Sequence, residues 1–444
     1  MRTAKTHIGK VRMLATQTHS GTVQGGGSNL LTAADFTYLG AFRLPLSVPG
    51  TEFGFRGAVI AYDPNDGGMF VHCGQTGGDL SPFNSRICKV SIPALSTSGS
   101  LANLNRASIT IPATDVITGR SYSPAMGNGE NDSTAPKGMH VFGSKLVWTA
   151  DQFYPGTPLI RSHGRCNLDL TNPEGMSQPA TGVNARYSNM GMCDIPTEFQ
   201  GAFGGHTAMG CRAGGSIVSL SSDGPALTTF NHADIGGDSF PATLRQHYTV
   251  AQLDPLSGTS RGDADMLWVQ SNAGYGMACA FHSGGGKHGV AFVTKRSEAG
   301  YWYGFGSYET WRNDPITFPN NSYIPMLKDG QSHYATFGDP AGWPLTDVEG
   351  RYYRDGRNNN EAGNHAGDYW TGLYLYDPTD VLAGPELHSA RPYQVARLDN
   401  PFNTTGNKYV YAGDYAAGLL FVPVEADFEG SSPVPVFCVY QLPV

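Results

Sequence analysis

From residue 36 onward, short apolar runs alternate with clusters of glycine, proline, asparagine, aspartate and serine. Runs at 57–62 and 69–73 are separated by Asp63, Pro64, Asn65, Asp66, Gly67 and Gly68, a turn-forming sequence. Runs at 139–142 and 145–149 are joined by Gly143 and Ser144, a two-residue hairpin loop. The same reading predicts strands at 36–44, 86–92, 159–161, 166–170, 216–220, 226–230, 277–281, 289–295, 301–305, 372–376, 409–412, 418–424 and 435–442. Helical signals are few. Pro196 opens one short helix over 197–203, and Asp377, Pro378, Thr379 and Asp380 open another running to Ala383.

Many short strands with turns about every ten residues suit a sandwich, a barrel or a propeller. A chain of 444 residues is too long for one sandwich. The expected fold is therefore an all-β β-propeller, with seven blades or, in a second reading, six. A loose repeat places Tyr62-Asp63-Pro64, Asn231-His232-Ala233-Asp234 and Tyr376-Asp377-Pro378 after strands, at one corner of a repeated unit. A propeller must close its ring, and strands 36–44 and 436–442 are expected to share a blade. Residues 1–28 are polar and aperiodic and end in Gly25, Gly26, Gly27 and Ser28. They read as an extended arm that docks to a partner subunit, followed by one domain over 29–444.

Composition sharpens this picture. Charged residues are only 15% of the chain, while glycine (58) and proline (29) are abundant, which favours turns over helical bundles. The net charge of −8, with no basic run longer than Lys295-Arg296, argues against a nucleic-acid partner. No apolar stretch is long enough for a transmembrane helix. The basic start (Arg2, Lys5, Lys10, Arg12) is followed by no apolar segment, so it does not read as a secretory signal. The seven cysteines include no CxxC pair, which excludes zinc-ribbon and thioredoxin readings. Disulfides between Cys73 and Cys88, and between Cys193 and Cys211, are the pairings that sequence proximity suggests.

Four segments carry a resemblance: FTYLGAFRLP (36–45), DIPTEFQ (194–200) with Gly204 and Gly205, DGPA (223–226), and YLYDPTDVLA (374–383). They resemble an uncharacterised family of bacterial and phage-associated proteins. The resemblance implies a propeller-type domain in an extracellular setting and assigns no activity or site residue. Members commonly carry a leader, and its lack here points to delivery in a virion or other particle.

Candidate chemistry lies in four places. Arg161, His163 and Arg165 alternate in RSHGR (161–165), which suits a base with cations that neutralise an acidic sugar. Arg245, His247 and Tyr248, with Gln246, form a second set of that kind, with Tyr248 as proton donor. His282 and His288 flank a glycine-rich hairpin tip and are candidate metal ligands. The polar stretch 351–370 holds Tyr352, Tyr353, Asp355, Asn358, Asn360, Glu361, His365, Tyr369 and Trp370. Aromatic faces beside amides and carboxylates suit sugar binding, and the oxygens also permit Ca²⁺. No nucleophile elbow, dinucleotide fingerprint or P-loop is present. The leading expectation is a structural or adhesion protein, extracellular or particle-associated. The alternative is a polysaccharide lyase or glycosidase working in a propeller funnel.

Overall fold

The computed structural model describes residues 29–53, 59–73, 86–116, 134–152, 161–188, 190–212, 226–247, 277–297, 369–383, 390, 392–402, 412–429 and 432–444. They are nearly all β. Strand β1 (Thr37–Arg43) is followed by β2 (Ile60–Asp63), β3 (Gly68–Cys73), β4 (Arg86–Ser91) and β5 (Ser108–Thr114), of which β2 to β5 form one antiparallel sheet. Next come β6 (Thr134–Phe142), β7 (Lys145–Gln152), β8 (His163–Asn167) and β9 (Glu174–Ala180). Then follow β10 (Gly191–Asp194), β11 (Ala208–Arg212), β12 (Ala226–Phe230) and β13 (Ser239–His247). These two groups are each antiparallel, and a short parallel pairing of β13 with β9 merges them into one eight-stranded sheet. A further sheet is built from β14 (Ala278–Gly284), β15 (Lys287–Ser297), β16 (Tyr369–Tyr376) and β17 (Gln394–Arg397). The last contains β18 (Asp414–Ala416), β19 (Leu419–Glu429) and β20 (Ser432–Gln441).

The last sheet is completed from the other end of the chain. β1 lies antiparallel to β20, with Thr37 opposite Gln441 and Arg43 opposite Val436. The expected sharing of a sheet by these two segments is thus observed. Arg43 reinforces the join through a two-point contact with Asp427 at 2.6 and 3.0 Å.

Five apolar clusters fill five junctions between successive four-stranded units. Phe70, Ile87, Trp148 and Cys166 join the first unit to the second. Phe142, Val147, Phe230 and Phe240 join the second to the third. Met209, Leu227, Phe292 and Tyr376 join the third to the fourth. Leu373, Leu375, Val422 and Tyr440 join the fourth to the fifth, and Phe42, Val71, Phe421 and Phe437 return to the first. The first strands β2, β6, β10, β14 and β18 touch in the same cyclic order. Sheets buried on both faces around a ring of inner strands are the arrangement of a β-propeller.

Among the described residues the ring holds five four-stranded units, where the length of the chain suggests seven or six. Segments 117–133, 213–225, 248–276 and 298–368 lie outside the described residues and account for much of the length without supplying described strands. The predicted strands at 216–220 and 301–305 fall among them. β5, which alternates as SITIPAT, is not among the predicted strands, and β9, β10, β11 and β13 carry no clean apolar alternation. β13, for example, reads SFPATLRQH. Among the described residues there are two α-helices, α1 (Thr197–Gln200) and α2 (Pro378–Ala383). The arm 1–28 lies outside the described residues.

Topology separates the two ends of the ring. Residues 143–144, 285–286 and 417–418 join first to second strands at one end. Connections from second to third strands, and from unit to unit, attach at the other. The repeated Tyr/Asn-to-Asp elements all sit at the tight-turn end, but one follows a first strand and two follow third strands.

Candidate functional site

The inner strands bring three titratable side chains together near the tight-turn end. His140, on β6, is completely buried. Its Nδ1 lies 2.6 Å from Asp414 Oδ1 on β18, and its Nε2 lies 3.2 Å from Asp194 Oδ2 at the end of β10. Both partners are carboxylates, which accept only, so both ring nitrogens donate and the ring is an imidazolium. Burial alone would push its pKa down; Asp414 and Asp194 outweigh it and hold it well above the ordinary imidazole range. Asp414 is fully buried and also accepts the Tyr62 backbone N–H at 2.7 Å. The network therefore ties the first, second, third and fifth units at the axis.

Asp194 faces outward, with 59% of its side chain exposed. It lines a cavity of about 400 Å³ with Phe281, His282, Tyr415, Gly418 and Pro443. His282 Nε2 approaches the Gly284 carbonyl at 3.3 Å and so carries the proton; Nδ1 accepts from the Tyr415 hydroxyl at 2.7 Å. Burial pushes His282 down and Tyr415 up, so both are neutral at neutral pH. Ser283 donates to Glu198 nearby. Among the described residues lining the cavity, Asp194 is the one acidic side chain and no lysine or arginine is present. That set can anchor a hydroxyl or cationic group against aromatic faces.

The residues expected to do chemistry are placed differently. His163 is fully buried between Phe230 and Phe240, whose rings lie 5.4 and 5.1 Å away edge-on. Burial pushes its pKa down to about 3, against a smaller upward effect of the Ser188 backbone. It is a neutral junction residue and not an accessible base. Arg161 pairs with Asp238 at 2.9 Å, and Arg165 with Glu174 at 2.7 Å and the Ala233 carbonyl at 2.8 Å. Arg245 donates to Thr229 and to the Phe203 carbonyl. Gln246 bridges to Val381 and Ala390, and His247 packs on the Tyr187 ring at 4.4 Å. Tyr248 lies outside the described residues. Arg161, Arg165 and Gln246 each reach a neighbouring unit, at Asp238, Ala233 and Val381, whereas Arg245 braces its own unit.

His282 and His288 do not converge. His282 faces Gly289 and His288 faces Ser283 across the hairpin, so the two side chains project from opposite faces of the sheet. No group of three potential metal ligands occurs among the described residues. Tyr352, Tyr353, Asp355, Asn358, Asn360, Glu361 and His365 lie outside the described residues. Tyr369 and Trp370 belong to β16 and pair with Ser297 and Arg296, so they are strand and not loop positions. All seven cysteines are buried and none is in a disulfide. Neither expected disulfide is present.

The sequence reading missed His140, Asp194 and Asp414 as a group. Asp194 was visible only as the start of DIPTEFQ. His140 interrupts an otherwise apolar strand, a signal for a buried polar partner, but that partner is 274 residues away. No helix among the described residues is long and apolar enough to cross a membrane.

No protein-family model matches the chain, and no curated protein matches it. Among solved structures, a protein of unknown function from Dyadobacter fermentans DSM 18053 is similar at 9% identity, covering 92% of this chain and 99% of that one, with a TM-score of 0.34. A glycosyl hydrolase from Bacteroides ovatus is similar at 10% identity, covering 94% of each chain, with a TM-score of 0.33. An endo-arabinase from Bacteroides thetaiotaomicron VPI-5482 is similar at 9% identity, covering 90% and 97%, with a TM-score of 0.35. At these scores the likenesses carry no argument, and the reading of this chain rests on its own residues.

Proposed function

We propose that this chain is a five-bladed binding scaffold, one domain over 29–444, that presents a ligand site without turning the ligand over. One observation carries the reading: among the described residues the cavity near the ring axis offers a single acidic side chain, Asp194, while the described candidate catalytic side chains are engaged in structural contacts. Neutral glycans and hydroxyl-rich surfaces fit a site with one acceptor carboxylate, a neutral His–Tyr pair and an aromatic wall. The setting we propose is extracellular or within a particle such as a virion, with the arm 1–28 docking to a partner subunit. The charge-poor, turn-rich composition and the polar arm support that setting. The free thiols supply no disulfide argument for it.

The test is a glycan array with the full chain and with Asp194→Ala. Binding that Asp194→Ala lowers at least tenfold supports the reading; undiminished binding overturns the assignment of this cavity. Sedimentation of native material tests the setting separately, since co-migration with a particle is expected and is lost when residues 1–28 are deleted. A glycan-active enzyme is the second reading, favoured by the exposed carboxylate of Asp194 that His140 contacts at 3.2 Å. Turnover of an acidic or neutral glycan, abolished by Asp194→Asn, would put it first.

A further inference from the structure

A cluster of three thiols lies between the third and fourth units. Cys193 on β10 and Cys279 on β14 have their Sγ atoms 3.2 Å apart, and both are fully buried. Cys211 on β11 lies close by, but its Sγ is directed to the Gly191 carbonyl at 3.4 Å. Across β10 and β11, Cys193 faces Met209 and Cys211 faces Gly191, so those two cysteines are offset in the ladder. The nearest sulfur to Cys193 therefore comes from the neighbouring unit, 86 residues along the chain. Two sulfurs at this separation, on strands already packed together, need only a small closure to reach bonding distance.

We propose that Cys193 and Cys279 are a disulfide-forming site that staples β10 to β14. Cys193 immediately precedes Asp194, and Cys279 lies two residues before Phe281. The bond would lock together two walls of the Asp194 cavity. The staple goes beyond the binding reading and does not rest on it. The chemistry is two successive exchanges with a low-molecular-weight disulfide. One cysteine thiolate attacks that disulfide, forms a mixed disulfide and releases one small thiol. The second cysteine thiolate attacks the protein sulfur of the mixed disulfide, which forms the Cys193–Cys279 bond and releases the second small thiol. The two protein thiols lose two hydrogens and two electrons, and the small disulfide gains them. Burial and the neighbouring thiols keep the Cys279 thiol protonated, so exchange is slow in the folded ring, and the bond forms as the chain folds.

The full chain is produced in an oxidising compartment and in a reducing one, alkylated under denaturing conditions and mapped as peptides without reductant. The expected result is a Cys193–Cys279 linked peptide from the oxidising compartment alone. The oxidised chain should also show a higher unfolding midpoint that reductant lowers. The Cys211→Ser variant should retain the link. Three alkylated thiols in both preparations, or a link joining Cys211 to Cys193 or to its other neighbour Cys279, would overturn the proposal. The wild-type map decides the matter even if Cys279→Ser fails to fold.

Discussion

His140 and His163 belong to the same four-stranded unit, yet their surroundings drive their protonation in opposite directions. His140 is placed between two carboxylates and stays charged; His163 is placed between two phenyl rings and stays neutral. For His163 the folded pKa is lowered to about 3. The unfolded chain binds the extra proton between about pH 3 and 6.5, so stability falls as pH drops through that window, by up to about 1.4 kcal/mol per pH unit. Replacing His163 with Gln should flatten this acid-side slope, measured by denaturant unfolding from pH 3 to 7. For His140 the folded pKa is raised, so its contribution is fully present below the unfolded value and is lost as pH rises through the folded one. Asp414→Ala should destabilise the ring by about 3–5 kcal/mol, because it leaves a buried charge with one partner fewer. An unchanged unfolding midpoint would show that the network is not holding the axis.

At the scale of elements, close approach between inner strands depends on glycine. A Cβ on Gly138 of β6 would lie 1.5 Å from the Met190 carbonyl oxygen, and one on Gly164 of β8 would lie 2.4 Å from the Trp148 ring. Gly138→Ala should therefore cost about 3 kcal/mol or more through forced backbone displacement, at or beyond the upper end of ordinary overpacking. Gly143, in the β6–β7 turn, has φ of +59° and open space around it. Gly143→Ala should cost only the strain of a left-handed residue, about 1–2 kcal/mol. Thermal unfolding of the two variants separates packing from backbone conformation; equal losses would contradict the proposed close approach. The elements that sequence reading recovered best, such as β3, β15 and β20, are those with long apolar runs. Strands such as β10, four residues of GMCD, carry too little pattern to be seen. Their pairing is set by neighbours in space.

For the whole molecule, ring closure is the feature on which the rest depends. The fifth unit takes β1 from one end of the chain and β18 to β20 from the other. Removing residues up to Arg43 would expose the β20 edge and open the junction lined by Phe42 and Phe437. We expect loss of a single cooperative unfolding transition and a shift to aggregates in size-exclusion chromatography. A truncated chain that stays monomeric and melts in one step would show that closure is dispensable.

That the chain is β-rich, turn-dense and closed through its two ends was legible along the chain, because strand period, turn residues and terminal apolar runs are local properties. Short helices near 197–203 and 380–383 were legible in the same way. Which polar residues are structural and which face a cavity emerged with the packing of the strands. RSHGR reads as a surface cluster, yet one of its members is sealed in a junction and the arginines pair with Asp238 and Glu174. His140, Asp194 and Asp414 lie far apart along the chain and meet only because three inner strands converge near one axis. Burial and charge pairing are set by neighbours in space, and one-dimensional spacing does not encode which strands become neighbours.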